Sequence, residues 1–547
     1  MGAGLGRGPL LLRPLPRRRA PQGARGPVSG SLAGPEPARP LRRLVVVLGD
    51  QLDARSAALD GFDPARDAIL MTEAAEEATY LRQHKKRLVL FFAAMRHFAA
   101  DQAAQGRPVL YRRLDAEGAP ETLADSLRAA LQTHAPEEVA LVRPGDWRVL
   151  RALEQAAGDR LRLIEDRHFL STPADWAEMR AGRKRFILED YYRALRRRTG
   201  WLMGEDGEPV GGAWNFDKEN RKSFGRDGPG LTPGRPASEP DETTRDVMRM
   251  VEARFPDAPG STAGFAEPVT RRAALAHLRD FIDHRLPLFG DYQDAIATGH
   301  STLWHSRLSA ALNLKLLDPR EICEAAIEAR ESGHAPLNAV EGFVRQILGW
   351  REFTRGVYWT LMPDYAARNE LDAQAEIPAF FWTGETDMAC LADGIGQLVR
   401  EGYAHHIQRL MVMGLFLMLW GAKPARAHDW HMEMYLDAVD WVSLPNMLGM
   451  SQHADGGVMG TKPYCASGAY IDRMSDCCRG CRYDPKQATG PKACPFTTLY
   501  WDFLDRHEGR FGANMRMKMQ LNNLRRKPDE ERRAIRRAAE AARVRLG

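Results

Sequence analysis

Hydrophobic residues follow two different patterns along the chain. Up to about residue 170, short apolar runs rich in β-branched residues alternate with longer stretches of helical periodicity. From these runs we predict six strands, within residues 43–50, 68–71, 87–92, 108–112, 138–142 and 161–165. Such alternation is typical of an open α/β domain built on a parallel sheet, in which a ligand binds at the carboxyl ends of the strands.

The pattern changes beyond residue 170. Glycine and proline are concentrated between residues 204 and 240, which indicates a long connector. Farther on, apolar residues recur at helical spacing with almost no strand signals, as in residues 273–282 and 322–329. We therefore predict five segments, a disordered extension, an α/β domain, a connector, an all-α domain and a charged tail, over residues 1–43, 44–170, 171–268, 269–520 and 521–547.

Composition is that of a globular protein. The chain has 547 residues, of which 44% are hydrophobic and 27% are charged, enough for two to four domains with large cores. The formal net charge of +5 permits a polyanionic partner without requiring one. The most apolar run, Leu410 to Trp420, is shorter than the ~20 residues that span a bilayer, so we expect a buried helix and no membrane contact. No secretory apolar region follows the basic N-terminal residues, and we expect a cytoplasmic monomer.

The cysteines are too few and too unevenly placed for a disulfide scaffold. Five of the seven lie between Cys465 and Cys494. Cys478 and Cys481 form a C-x-x-C pair, and Cys494 precedes a proline thirteen residues later, a local feature of iron–sulfur proteins. Zinc is the alternative on spacing alone. Cys465 and Cys477 are rival ligands, so the residues themselves leave the fourth ligand open.

Two further clusters suggest chemistry. His405 and His406 begin the apolar helix, where imidazoles suit acid–base work near neutral pH, although a structural role is an equally good interpretation. The hydroxyl-rich loop from Gly299 to Ser309 leads into a helix, whose N-terminal N–H groups suit a pyrophosphate.

Four motifs occur in an order and at separations that resemble those of the photolyase/cryptochrome family. They are the segments Ser306–Ser309, Gly349–Phe353, His405–Arg409 and Asp437–Trp441. The segments Val47–Leu52 and Ala94–Phe98, together with the cysteines, resemble the iron–sulfur bacterial branch, whose members repair (6-4) photoproducts or act as blue-light receptors. The resemblance covers roughly residues 44 to 520. It implies a Rossmann-like α/β antenna domain followed by an all-α FAD-binding photolyase domain with a [4Fe-4S] cluster.

The resemblance also assigns cofactor ligands. The cluster would be held by Cys390, Cys478, Cys481 and Cys494, which leaves Cys323, Cys465 and Cys477 as bystanders, and we expect its role to be architectural. FAD would be held at its phosphates by Ser306, Arg307 and Ser309, with Tyr292, Gln346 and Arg351 beside it. Arg409 and Asp437 would form an ion pair near the isoalloxazine, and Asp440 and Asn446 would face its ring atoms.

The remaining roles concern light and DNA. His406 matches the residue that donates a proton to the lesion, with His405 in support, and Leu410 stands where animal enzymes carry a third histidine. Trp382 and Trp430 match the electron relay of the branch, and His431 stands where its surface tyrosine is common. Asp50 and Glu77 would bind a 6,7-dimethyl-8-ribityllumazine antenna. Tyr464 and Tyr470 would contact the lesion side of the DNA, and Lys462 and Arg473 its phosphates.

The expected function is therefore light-driven repair of (6-4) photoproducts in UV-damaged DNA, a lyase reaction that uses electron transfer from reduced FAD. The lesion must leave the base stack to reach the flavin. One alternative is a blue-light receptor without repair activity. A second is a flavin-free zinc or cluster module that binds nucleic acid, which would lack flavin absorption.

Overall fold

A computed structural model describes residues 35–37, 39–183, 187–225 and 228–547. Most of the predicted extension, residues 1–34 and 38, lies outside these described residues. The end of that predicted extension belongs to the fold instead. Leu41 is buried and its N–H donates to the carbonyl of His134, and the first strand begins at Arg43.

The first part of the chain forms a five-stranded parallel sheet. Its strands are β1 (Arg43–Val46), β2 (Asp67–Thr72), β3 (Val109–Arg112), β4 (Glu138–Val142) and β5 (Leu161–Ile164). The spatial order is β3-β2-β1-β4-β5, and every neighbouring pair is parallel. The chain winds one way through β2 and β3 and the other way through β4 and β5. The switch point therefore lies between β1 and β4, where open α/β sheets bind ligands.

One predicted strand is wrong. Residues 87–92 lie inside the helix Lys85–Ala104, which packs between the sheet and the helix Glu242–Arg254. The five apolar residues from Leu88 to Phe92 are a run that suits a central strand and a helix buried on most sides equally well. The N-cap decides in favour of the helix, because the His84 ring accepts a hydrogen bond from the N–H of Lys86.

Helices make up most of the remaining structure. Those of the sheet domain and the connector are Ala75–Thr79, Lys85–Ala104, Leu123–His134, Trp147–Ala157, Pro173–Arg180, Leu188–Thr199 and Glu242–Arg254. The α-helices that follow are Arg271–His284, Leu286–Tyr292, Ser309–Asn313, Pro319–Glu331, Leu337–Val344, Glu352–Leu361, Ala389–Glu401, His406–Gln408, Leu415–Trp420, Pro424–Met434, Asp440–Leu444, Gly468–Met474, Pro495–Arg506, Glu508–Phe511, Lys518–Arg525 and Asp529–Leu546. Short 3₁₀ turns cover Ala57–Leu59, Gly158–Arg160, Val210–Gly212, Asp364–Ala367, Ala379–Phe381, Cys477–Gly480 and Met515–Met517.

Three π-helical segments interrupt the helical half. They are Arg345–Arg351, Arg409–Gly414 and Pro445–Ser451, each continuous with an α-helix. π-Helical turns are rare and occur frequently at functional sites. Four of the residues predicted to contact FAD lie in these segments, namely Gln346, Arg351, Arg409 and Asn446.

The helical character predicted for the second half is confirmed. From residue 269 onward the described residues contain isolated β-bridges but no strand. The tail after Pro528 is the charged helix Asp529–Leu546, which is anchored by ion pairs such as Arg532–Asp505 and Arg543–Asp502. Among the described helices, none is both long and apolar enough to cross a membrane.

Candidate active site

A buried ion pair lies at the centre of the helical half. Arg409 donates from its two terminal nitrogens to Asp437, at 3.0 and 2.9 Å. The Ser309 hydroxyl donates to the same carboxylate at 2.6 Å, and the Asn313 amide donates to the Asp437 carbonyl at 2.8 Å. Burial disfavours the charged carboxylate, but Arg409 and Ser309 outweigh it and hold the pKa of Asp437 below its ordinary value. Ser309, which was predicted at the FAD phosphates, thus positions this pair.

Several polar side chains of the helical half are half-buried although most of their chain neighbours are buried. Solvent reaches Ser306, Ser309, Asn313, Gln346, Arg409 and Asn446 in this way. The amides of Gln346 and Asn446 donate to carbonyls one turn earlier, at 2.9 and 2.7 Å. Tyr292 stacks on Phe224, with ring centroids 4.8 Å apart. Half-buried polar groups that can form further hydrogen bonds inside a helical domain suit a polar ligand with many acceptors, such as a dinucleotide.

The Arg307 side chain has a different environment from the one predicted. Its guanidinium is buried and donates to Glu267 and Glu401, each at 2.8 Å, while lying over the Tyr403 ring. Two protein carboxylates therefore neutralise it, which leaves no free charge for a phosphate. The backbone at Arg307 is left-handed, with φ of 53°.

Arg351 is also placed away from the ion pair. It bonds to Glu352 at 3.1 Å and to the His168 ring at 2.8 Å, and its guanidinium lies over Phe169 and Trp441. These contacts stabilise the junction with the sheet domain. The prediction that Arg351 lies beside FAD is therefore not supported by its contacts.

His405 and His406 differ sharply in environment. His405 is buried and stacks on His305 with centroids 4.1 Å apart, and neither of its ring nitrogens has a hydrogen-bond partner. His406 is exposed, although protein surrounds it closely enough that burial and Arg409 lower its pKa to about 4. Its ring therefore faces an indentation of the fold beside Arg409, which suits contact with a bound group.

Aromatic side chains lead away from the ion pair. Tyr435 lies under the Arg409 guanidinium at 4.2 Å, and its ring centroid is 5.8 Å from that of Trp430. The indole N–H of Trp430 donates to the carbonyl of Phe381, the residue before Trp382. The two predicted relay residues are thus brought together.

His431 stands where the surface tyrosine of the relay is common in the branch. It is buried and stacked on Tyr435 at 4.3 Å, so it cannot be the surface member of a relay. Tyr435 was not predicted and has no distinguishing sequence motif. Of the two tryptophans predicted for the relay, Trp382 is the nearer to solvent, since it is half-buried and donates to Glu433 at 2.9 Å.

A cavity opens at the switch point of the sheet. Asp50 follows β1 and Glu77 follows β2, and both line it, as the antenna prediction requires. Arg148 donates two hydrogen bonds of 2.8 Å to Glu77. The lining also includes the hydrocarbon and aromatic side chains Leu48, Leu88, Phe91, Phe92 and Met95. The cavity therefore combines an apolar wall with polar groups at the strand ends.

The cavity has two further carboxylates that the prediction did not place there. Asp146 follows β4 and caps the helix Trp147–Ala157, and its position at a strand end could have identified it from the sequence. Asp440 comes from the helical half, where Tyr358 and His428 donate to it, the latter at 2.9 Å. Burial and the Asp440 charge raise the pKa of Asp146 to about 6. These contacts do not support the prediction that Asp440 faces the flavin ring, because the residue lines the cavity at the switch point of the sheet.

A second, smaller cavity is lined by cysteines. Cys390, Cys478, Cys481 and Cys494 all border it, and Cys477 does so as well. Cys465 and Cys323 are elsewhere, and all seven cysteines are free. In the described residues, no three His, Cys, Asp or Glu side chains are spaced to hold a single metal ion. Burial and neighbouring thiols raise the pKa of Cys478 to about 12, so thiolates here need a cationic partner.

Tyr464 and Tyr470 share a basic neighbourhood. Burial raises the pKa of Tyr464, while Arg516 and Arg221 oppose the rise. Arg221 also opposes the rise at Tyr470, and Arg473 lies over the Tyr470 ring at 5.4 Å. Half-buried tyrosines among arginines suit a nucleic-acid surface.

This chain is similar to known proteins in sequence and in fold. The family model of deoxyribodipyrimidine photo-lyase-related proteins matches residues 45–266. A (6-4) photolyase of Agrobacterium fabrum is 45% identical over 480 residues, which is 87% of this chain and 94% of that protein. A crystal structure of a bacterial class III photolyase from Agrobacterium tumefaciens superposes with a TM-score of 0.54 at 16% identity, over 94% of this chain and 98% of that one. The crystal structure of a cryptochrome from Synechocystis superposes with a TM-score of 0.51 at 14% identity, over 80% of this chain and 89% of that one. The two structures show the shared fold, and the 45% identity shows that the chain belongs to the photolyase/cryptochrome family, in its iron–sulfur bacterial branch.

Proposed function

We propose that this protein repairs (6-4) photoproducts in UV-damaged DNA with light. The observation that carries the proposal is the exposed ring of His406 beside the buried Arg409–Asp437 pair. A proton donor and a fixed cation adjoin one indentation, next to half-buried polar groups that suit a dinucleotide. The extensive similarity to a (6-4) photolyase supports the same assignment.

FAD would be held by this chain around the ion pair. Ser306, Gln346, Asn446 and the backbone of the Ser306–Ser309 loop supply polar groups, and Tyr292 supplies a ring face. Arg409 stays charged because Asp437 neutralises it, so it stabilises negative charge at the flavin without depending on pH. Reduced FAD supplies the excited-state electron that repair requires.

His406 would deliver a proton to the lesion. Its pKa of about 4 means that the ring is neutral at pH 7 in the protein alone. A DNA polyanion, and the negative charge that develops on the lesion, oppose the field of Arg409 and favour the imidazolium. His405 supports its neighbour from the buried side, where its stack on His305 fixes the orientation of the ring.

The aromatic residues would carry electrons to the flavin from a reductant in solution. Trp430 is the inner member, because Tyr435 links it to the ion pair, and Trp382 is the outer one. The side chain of Glu433 accepts the Trp382 N–H, and a carboxylate beside an oxidised indole stabilises its positive charge.

The five-cysteine cavity would hold a [4Fe-4S] cluster. Its ligands would be Cys390, Cys478, Cys481 and Cys494, while Cys477, which also borders the cavity, is bonded to Thr298 at 3.5 Å. A four-iron cluster is wider than a single metal ion. Thiols that surround a cavity but are too far apart to bind one ion therefore suit a cluster. It would tie the helix Ala389–Glu401 to the segment that ends at Cys494, and so stabilise this part of the fold.

The cavity at the sheet switch point would hold 6,7-dimethyl-8-ribityllumazine. Asp50, Glu77 and Asp146 would accept hydrogen bonds from the ribityl hydroxyls, and Phe91 and Met95 would supply an apolar face. This second chromophore would extend the light that the protein absorbs.

A light-dependent repair assay tests the main proposal. Purified protein with reduced FAD is illuminated with duplex DNA that carries either a (6-4) photoproduct or a cyclobutane dimer. We expect restored thymines only from the (6-4) substrate and only in the light. Photoreduction of FAD without repair of either lesion would refute the proposal and support a receptor role.

A further inference from the structure

A short amphipathic segment near the C-terminus presents apolar side chains to solvent. The turn Met515–Met517 continues directly into the helix Lys518–Arg525. Met517, Leu521 and Leu524 face inward and are buried. Met515 and Met519, four residues apart, face outward and are 75% and 70% exposed. They form an apolar pair on what would otherwise be a polar face, and we call this surface the methionine ridge.

The charge around the ridge has one sign. Residues 512–527 contain no acidic side chain and five basic ones, Arg516, Lys518, Arg525, Arg526 and Lys527. Arg525 pairs with Glu508, and Lys527 with Glu531. Within the part of the chain that the structure describes, Arg516, Lys518 and Arg526 have no carboxylate partner. Uncompensated cations beside exposed apolar groups favour a polyanion that also offers apolar surface.

The ridge adjoins the tyrosines of the candidate lesion site. Arg516 donates to the Thr461 hydroxyl at 2.6 Å, and the Asn514 amide donates to the Thr461 carbonyl at 3.2 Å. Thr461 lies three residues before Tyr464, whose ionisation Arg516 influences directly. The ridge, Tyr464 and the arginines near Tyr470 thus form one continuous surface.

We propose that the methionine ridge packs against the DNA duplex beside the flipped lesion. Removing two linked bases from a stack exposes the faces of the neighbouring base pairs, and apolar wedges such as methionine offset the cost of that unstacking. Lys518 and Arg526 would contact phosphates on either side of the ridge. This inference rests on the proposed repair function, and it assigns to the ridge the recognition of distorted duplex structure.

The test compares two outward-facing sites. The variant Met515→Gln/Met519→Gln makes the ridge polar, and Val544→Gln is the control, because Val544 is 87% exposed on the helix Asp529–Leu546. Binding is measured for a duplex with one (6-4) photoproduct and for the undamaged duplex. We expect the ridge variant to bind the lesion duplex about tenfold more weakly, and the control to bind as the wild type does. Repair of a lesion in a short single strand, which has no stack to fill, should be unchanged.

Further measurements separate the possible outcomes. Lys518→Gln should lower the salt dependence of binding by about one unit of slope. Equal binding of the lesion duplex by the ridge variant and the wild type overturns the proposal, as does an equal loss in Val544→Gln. A wild-type dimer that dissociates in the ridge variant would show that a second copy covers the ridge, which also overturns it. If the wild type repairs neither duplex nor single-stranded lesions, the proposed function itself fails.

Discussion

Arg409 and Asp437 form a two-point ion pair in which the carboxylate is 4% exposed and the guanidinium is 19% exposed. The acidic partner is sealed inside and the cation reaches toward the candidate flavin site. The protein thus presents a fixed positive edge whose geometry is held by Asp437, Ser309 and the Ala404 carbonyl.

Asp437→Asn should destabilise the protein strongly. The substitution leaves Arg409 without its buried countercharge, and breaking a buried pair in this way costs about 3 kcal/mol. Asp429→Asn is the control, because both side chains of the Asp429–Arg426 pair reach solvent and such a pair contributes less than about 1 kcal/mol. Urea titration of the FAD-free proteins measures both values. Equal stabilities of the two variants would contradict a structural role for the pair.

His406→Ala should abolish repair while FAD remains bound. Within the described residues no hydrogen bond joins the ring to Asp437, Arg409 or Ser309, so its loss removes a proton donor without breaking the ion pair. General acids contribute about 10²- to 10⁴-fold to rates, and we expect a loss in this range in the yield of repair per absorbed photon. His284→Ala, at an exposed position on the helix Arg271–His284, should behave as the wild type does. Full repair by His406→Ala would remove this residue from the mechanism.

Cysteine substitutions should separate ligands from bystanders. Cys478→Ala is expected to lose iron and acid-labile sulfide, whereas Cys465→Ala, outside the cysteine cavity, should keep both. Cys477→Ala is the informative case, since Cys477 borders the cavity but is not among the predicted ligands. If Cys477→Ala keeps a full cluster, the predicted set of ligands is confirmed. If it loses the cluster, Cys477 is a ligand in place of one of the four predicted cysteines. Removal of the cluster should also lower the unfolding temperature.

Residues at strand ends were predicted more accurately from the sequence than the directions of side chains on helices. The family resemblance assigned Asp50 and Glu77 to one antenna site, their positions after strands agree with such a site, and both line one cavity of the sheet domain. Asp440 and Arg351 sit in motifs of the helical half, where a helix bears side chains on every side. The role of each residue therefore depends on what its side of the helix contacts. For both residues that contact is with the sheet domain.

The strand predicted from a local apolar run was wrong for a related reason. The run within residues 87–92 has no polar residues at helical spacing. The helix that contains it is covered by the sheet on one side and by the helix Glu242–Arg254 on the other, so apolar residues are needed on both sides. Arg307 lies in a loop whose hydroxyls suggest a phosphate, yet its countercharges, Glu267 and Glu401, are distant along the chain. Pairing between distant residues leaves no periodic signal in a single sequence.

Stability should decline in acid through His84. This ring is fully buried, accepts from the N–H of Lys86 and donates to the Val399 carbonyl at 2.9 Å. The bond from Lys86 requires the neutral form, because a protonated ring has no acceptor nitrogen. Burial lowers the pKa of His84 from 6.5 to about 4. Because the unfolded chain binds the proton more readily, this contribution is complete above pH 6.5 and is lost as the pH falls toward 4. The loss amounts to about 3 kcal/mol at pH 4.

His84→Asn should reduce this pH dependence. Asparagine keeps an N-cap acceptor for Lys86 but does not titrate, and the lost bond to Val399 should cost about 1 kcal/mol at pH 7. Urea titrations between pH 7 and pH 4.5 measure the slope, and His284→Asn is the exposed control. A residual slope is expected from His507, whose pKa burial also lowers to about 4. An unchanged slope in His84→Asn would contradict the buried neutral ring.

Asp440→Asn distinguishes the two chromophore sites. Asp440 lines the sheet cavity with Asp50 and Asp146, and Tyr358 and His428 donate to its carboxylate. The substitution removes one of the carboxylates that would accept from a ribityl chain, and it also removes the charge that raises the pKa of Asp146. We therefore expect about tenfold weaker retention of the lumazine, measured by its fluorescence after gel filtration, with an unchanged ratio of FAD to protein. Asp429→Asn again serves as the control. Loss of FAD with full lumazine retention would return Asp440 to the flavin site that its motif suggests, and would mean that the contact with the sheet domain is incidental.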